Sequence, residues 1–266
     1  TSGSTGRPKG VEVAHAGIVN LLHGTRALYS DSEWESFGLS NNYVFDMFQN
    51  MLFLCIGMVG GSGSLLRDSI ALLSLAPTAE LTHLADVPSV LSQAQIPLAV
   101  QLVRAGGEEL ELSLIDKLRS CEILSNDYGP TEVSIVSVMK LLLWDNKRMI
   151  AIGRSTRNVT CWVAITQSEH GGVLQLVGVW GELWLGGVQV ARGYLRRPSL
   201  TADRFISHPW TATDPSGRGV AYRTGDRVRW YADGELEFGG RIDLQVKLRG
   251  QRLELGEVEH ALRAQP

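Results

Sequence analysis

"TSGSTGRPKG" occupies residues 1–10, and its reading decides what kind of protein this chain can be. Gly3 and Gly6 have no side chain, so backbone N–H groups there can lie close to an anion. Thr1, Ser2, Ser4 and Thr5 add hydroxyl donors, and Lys9 adds a compact positive charge. The common phosphate loop, GxxxxGK[ST], is not what is written. Pro8 stands where its second glycine is required, and Gly10 replaces the hydroxyl residue after the lysine. The next residues, Val11-Glu12-Val13, alternate like a short strand, whereas a phosphate loop opens a helix. On its own the stretch reads equally as an anion cradle or as a solvent loop.

Outward from this loop, the chain has ordinary globular composition: 266 residues, 44% hydrophobic, 20% charged, with a formal net charge of −3. That length suits one large or two smaller domains. The absence of a basic excess argues against a nucleic-acid partner. Cys55, Cys121 and Cys161 form no CxxC pair or Cys/His cluster. They read as free thiols of a reducing, cytoplasmic compartment and not as a zinc site. The greasiest stretch, Met51 to Gly61, is too short to span a bilayer, so no membrane partner is expected.

Residues 14–22 read as a helix, and 44–60 as a buried helix or strand. Between Leu81 and Leu118, short apolar runs alternate with breakers (Pro88, Pro97, Gly106-Gly107), the pattern of α/β units. From about residue 150 the chain becomes β-rich: "CWVAI", "LQLVGVW", "ELWLGG", "VRWYADGELEF" and "LQVKLRG" alternate between glycines. Asp233-Gly234, flanked by alternation, predicts a hairpin. Leu255, Val258 and Leu262 carry helical spacing.

Four further blocks follow the opening loop: "NDYGPTE" (126–132), "GELWLGGVQVARGYL" (181–195), "YRTGD" (222–226) and "GRIDLQVKLRGQRLELGEVE" (240–259). In this order and with this spread, the chain resembles the adenylate-forming enzymes, and within them the adenylation domains of nonribosomal peptide synthetases. The resemblance implies the α/β large-domain fold of that superfamily: a nucleotide- and amino-acid-binding subdomain over 1–150, a β-rich, distorted-barrel subdomain over 151–242, and a hinge with the start of a C-terminal lid over 243–266, truncated at both ends. It implies ATP and Mg²⁺ as cofactors and a phosphopantetheine-bearing carrier domain as partner, expected in the same longer polypeptide. A carboxylate attacks the α-phosphate of ATP, pyrophosphate leaves, and the pantetheine thiol then takes the acyl group.

By the same resemblance, Gly3 to Lys9 hold the leaving pyrophosphate, with Thr1 and Ser2 among the cofactor-binding residues. Tyr128 stacks on adenine, the Asn126 amide reads its edge, and Gly107 lets backbone lie against the base. Thr131 meets phosphate, and Glu132 supplies a hard oxygen to Mg²⁺. Asp226 accepts from the ribose hydroxyls, Arg241 reaches the ribose or phosphates, and His15 lies near the acyl site. Asp46, in "VFDMF" (44–48), binds an α-ammonium, which argues for an amino acid over a simple carboxylic acid. Phe48 departs from the family's serine. Met47, Asn50, Ala85, Arg104, Gly106, Asp127, Ile135 and Val136 line the side-chain pocket. Arg104 and Asp127 either read a polar substrate or pair with each other and leave a neutral cavity. Asp243 matches the hinge; the family's later lid lysine has no counterpart here, so the chain is expected to be the binding centre of such a domain and an incomplete catalyst. Losing one such electrostatic group typically costs ~10²–10³ in rate.

Overall fold

The computed structural model describes residues 9–27, 36–57, 62–66, 68–142, 151–167, 171–207, 211–212, 217, 219–243, 245–248, 251–254 and 262–263. Thr1 to Gly6 therefore lie outside the described residues, as does most of the helix expected over 255–262.

The first sheet has seven strands: β1 (Ser36–Leu39), β2 (Ser62–Leu65), β3 (His83–Asp86), β4 (Leu102–Gly106), β5 (Ile123–Tyr128), β6 (Val138–Leu142) and β7 (Arg154–Ser155), in the order β2-β1-β3-β4-β5-β6-β7. The pairs from β2 to β5 are parallel, whereas β6 and β7 are antiparallel. Parallel pairing needs a crossover, and the helices α3 (Pro88–Gln93) and α4 (Leu112–Lys117) supply two of them. Pro88 starts α3, where its missing N–H costs nothing. Leu84, Val103, Ala105, Leu124 and Leu142 face these helices in one apolar cluster with Leu91, Leu114 and Ile115. The opposite face lies under α1 (His15–Arg26) and α2 (Asp46–Gly57), with Leu21, Phe37, Met47, Met51, Leu54 and Ile135 among its buried residues.

The second sheet is antiparallel: β8 (Val159–Gln167), β9 (Gly171–Leu174), β10 (Gly181–Gly187), β11 (Phe205–Ile206) and β12 (Ala221–Trp230) run in the order β11-β12-β10-β8-β9, with β13 (Leu236–Arg241) also paired to β12. The hairpin between β12 and β13 closes where its turn residues predict. Gly234 takes a φ of +82, and Tyr231 N–H donates to Glu235 O at 2.8 Å. A short ribbon, β14 (Gln245–Leu248) with β15 (Gln251–Glu254), follows.

Two expected strands are different. In "LQLVGVW" (174–180) only Leu174 belongs to a strand. The rest is a turn with Gly178 at φ +84, so the glycine interrupted the run instead of sitting within it. Val11 to Val13 form one isolated bridge, Val11 to Tyr194, flanked by Glu12 N–H to Gly193 O at 2.9 Å. Alternation over three residues is too short to hold a ladder, but this contact seats Lys9 beside the second sheet.

Candidate nucleotide and amino-acid site

β5 lies at the centre of the site because alternate residues of a strand face opposite ways. Ser125 and Asp127 point to the α1/α2 side, whereas Asn126 and Tyr128 belong to the other. Tyr128 reaches across to the second sheet, where its hydroxyl donates to Asp226 Oδ2. Arg241, opposite Asp226 in the β12–β13 register, donates from Nη1 to Asp226 Oδ1 at 2.9 Å and to Thr224 O at 2.7 Å. It also grips Asp243, at 2.9 Å from Nε and 2.6 Å from Nη2. Gly225 (φ +73) permits this crossing, since a Cβ there would stand 2.7 Å from Arg241 Nη2. Burial, reinforced by the Asp226 charge, pushes the Tyr128 hydroxyl far above its ordinary range, so it stays a proton donor. Burial alone would lower Arg241, but Asp226 and Asp243 outweigh it and raise the group, which stays charged.

Beside this network a cavity opens, lined by Gly107, Asn126, Tyr128, Gly129, Ile152 and Phe238 among others. Gly107 sits at φ +86, where a side chain would be strained. The Tyr128 and Phe238 rings are tilted at 6.2 Å and form an aromatic wall. Asn126 donates from Nδ2 to Ala151 O at 3.1 Å, which pins its amide plane at the cavity edge. The cavity is bounded by flat aromatic surface on one side and bare backbone on the other, which suits a planar heterocycle, with Asp226 and Arg241 beside it.

The loop after Tyr128 is strained. Ser134 and Ile135 have φ of +54 and +77, uncommon for any side chain and an outlier for a β-branched one. Ser134 donates to Gln189 O at 2.7 Å, and Gln189 Nε2 donates to Val133 O and Val136 O at 3.2 and 2.8 Å. This clamp fixes the 3₁₀ turn Thr131–Val133. Glu132 is fully buried, and its Oε1 accepts from Tyr194 at 2.6 Å; Lys9 Nζ lies 5.1 Å from the centre of the Tyr194 ring. Thr131 donates to Asp46 Oδ2, at the first turn of α2. Lys9, Tyr194, Glu132, Thr131 and Asp46 thus form one continuous run.

The expected pocket residues gather under α2. Arg104 and Asp127, both fully buried, pair at 2.7 Å (Nε) and 2.6 Å (Nη2), and Ser125 donates to the other Asp127 oxygen. Of the two alternatives left by the sequence, the charges pair with each other. Met47, Ala85, Ile135 and Val136 share one apolar cluster, and Met47 lies over Gly106, 3.2 Å from where a Cβ would sit. Asn50, one turn along α2, is fully buried. His15 is the exposed first residue of α1, and the cap position, Ala14, makes no side-chain bond. Tyr194 and Gln189 were missed: both lie in the "GELWLGGVQVARGYL" block, and their one sequence signal was a polar group amid residues that bury.

A family model described as "AMP-binding enzyme" matches residues 1–195. The chain belongs to that family. Among curated relatives, Gramicidin S synthase 2 of Aneurinibacillus migulanus is 37% identical over 278 residues, covering 98% of this chain and 6% of that protein. Tyrocidine synthase 3 of Brevibacillus parabrevis is 39% identical over 279 residues, covering 99% of this chain and 4% of that protein. Among solved structures, the Vibrio cholerae adenylation domain AlmE in complex with glycyl-adenosine-5'-phosphate superposes with a TM-score of 0.85 at 27% identity, covering 99% of this chain and 51% of that one. PA1221, an NRPS protein containing adenylation and PCP domains, gives a TM-score of 0.81 at 27% identity, covering 100% and 55%. The chain thus spans about half the length of these solved chains and a small fraction of the curated relatives. No helix among its described residues is long and apolar enough to cross a membrane.

Proposed function

We propose that this chain is the nucleotide- and substrate-binding centre of an amino-acid-adenylating ligase, which activates an amino acid with ATP for transfer to a phosphopantetheine arm. One observation carries the reading: Tyr128 from the first sheet, Asp226 from β12 and Arg241 from β13 meet in one network beside a cavity faced by Gly107 and Asn126. Residues this distant in sequence converge on a shape that fits adenine and ribose.

In this reading Tyr128 and Gly107 sandwich the base, and Asn126 holds its edge. Asp226 holds the ribose hydroxyls while Arg241 keeps the carboxylate ionised and aimed. Asp46 takes the α-ammonium, and its bond to Thr131 places the substrate carboxylate next to the turn that addresses phosphate. Lys9 and the preceding hydroxyls neutralise the leaving pyrophosphate, and His15 borders the acyl side. Catalysis is then positioning and charge neutralisation, with no covalent enzyme intermediate.

Glu132 is the Mg²⁺ residue. No group of three His, Cys, Asp or Glu gathers among the described residues, so an all-protein cage is absent there. A single buried carboxylate beside a phosphate loop suits Mg²⁺, which is usually shared with substrate phosphates and water. When bound, the ion withdraws charge from the phosphates; Tyr194 and the Gln189 clamp hold Glu132 in place for it. The partner is a carrier domain within the same longer polypeptide, with Asp243 the hinge of the lid that presents it. The compartment is the cytoplasm, in keeping with Cys55, Cys121 and Cys161 as free thiols, the last pushed up to about 12 by burial and therefore inert.

The test is ATP–pyrophosphate exchange by the longer polypeptide expected to carry this chain, with a panel of amino acids and simple carboxylic acids. Amino-acid-dependent exchange that falls at least tenfold in Asp46→Ala is expected. Exchange driven by carboxylic acids alone would contradict it.

A further inference from the structure

Beneath α2 the sheet face buries a group of polar side chains, and that group is incompletely satisfied. Arg104 Nη1 and Asn50 Oδ1 are shut off from solvent and make no hydrogen bond among the described residues. Both residues are fully buried. Folded proteins seldom leave a buried donor and a buried acceptor unmet, because each then carries its full desolvation cost. Met47 links their two elements. Met47 covers Gly106, on the Arg104 face of β4, and its sulfur is 4.0 Å from Asn50 Nδ2. An unbranched thioether is the side chain that can swing aside most cheaply. Gly106 keeps the floor open, since a Cβ there would meet Asp127 O at 2.7 Å.

The charges set the second constraint. Arg104 and Asp127 cancel, and His83, on the same face, is held neutral by burial and by Arg104. An additional charge of either sign would have no counterion in this dry layer. The occupant is therefore uncharged and must offer an acceptor to Arg104 and a donor to Asn50. Asn50 lies four residues beyond Asp46 on α2, about 6 Å deeper along the helix. That span suits a short side chain ending in a planar C=O and N–H.

Resting on the amino-acid-activating reading above, we propose that the substrate carries a side-chain carboxamide of the asparagine–glutamine class, its carbonyl accepting from Arg104 Nη1 and its N–H donating to Asn50 Oδ1. A site that hydrogen-bonds its ligand rejects the analogue lacking those groups strongly, because its own polar atoms are left bare.

The experiment is calorimetric titration of the chain with non-hydrolysable aminoacyl sulfamoyl adenosines carrying glutaminyl, asparaginyl, leucyl, glutamyl or lysyl groups, with sulfamoyl adenosine as reference. One of the two carboxamides should bind about 100-fold or more tighter than the leucyl compound. Asn50→Leu should reduce that preference to less than tenfold. The double variant Arg104→Met/Asp127→Leu, which strands no charge, should favour the leucyl compound. A wild-type preference for the leucyl compound overturns the proposal, as does one for the glutamyl or lysyl compound. If sulfamoyl adenosine binds and no aminoacyl group adds affinity, the substrate assignment falls while the nucleotide site stands. Absence of any binding removes the underlying function as well.

Discussion

The two faces of the first sheet are made from the same strands, yet one is mostly hydrocarbon until Asn126 and Tyr128 at the end of β5, whereas the other buries an ion pair at its centre. In β4, Val103 and Ala105 turn toward α3 and α4, whereas Leu102, Arg104 and Gly106 turn toward α1 and α2. In β3, Leu84 takes the first side, and His83 and Ala85 the second. The apolar face, with Leu91, Leu114, Ile115 and Leu124 packed on it, anchors the strands. The other face can then tolerate a buried ion pair, a neutral histidine and an unmet donor, each a cost a small fold could not carry on both sides. The ion pair of the pocket and the side chains at the cavity edge thus lie on opposite faces, one residue apart along β5.

Variants can break this division, beginning with the most damaging. Asp127→Leu strands the Arg104 charge in a dry layer and should cost about 3–5 kcal/mol in urea unfolding; Arg104→Met/Asp127→Leu should recover most of it. If the single variant were no worse than the double, the pair would not be as isolated as its full burial implies. On the plain face, Leu124→Ala should cost about 2–4 kcal/mol by cavity formation while leaving the order of ligand affinities unchanged. At the border between the faces, Gly107→Ala forces a side chain into φ +86 and should cost about 1–2 kcal/mol, with weaker nucleotide binding as the sharper readout. The smallest effect is a pH response. His83 is held well below its usual 6.5 by burial and then by Arg104, so the folded state resists protonation while the unfolded chain accepts it. Stability from this group is full above about 6.5 and is lost as pH falls, so the melting temperature should drop between pH 7 and 5. His83→Phe should flatten that part of the profile.

Much of this was legible in the sequence. Breakers between short apolar runs marked β3 to β5, and Asp233-Gly234 marked the β12–β13 turn, because both signals are local. Tyr128, Asp226 and Arg241 were assigned to one ligand through the order of their blocks, although nothing in spacing says that β5 touches β12. The Arg104–Asp127 pair was left undecided, since 23 residues separate its members in sequence and only the parallel register of β4 and β5 sets them side by side. Tyr194 and Gln189 were invisible as site residues for the same reason: each acts by bracing another residue, and bracing has no motif. "LQLVGVW" misled because a turn glycine flanked by valines looks like a strand until its φ is known.

The central claim is that adenosine is held where the two sheets meet. Calorimetric titration of AMP into the wild type, Asp226→Asn and Leu124→Ala tests it most directly. Saturable binding that weakens about 10- to 100-fold in Asp226→Asn, the loss expected for a charged hydrogen bond, and is unchanged in the destabilised Leu124→Ala is the predicted result. Equal affinity in all three, or no binding to the wild type, would contradict it.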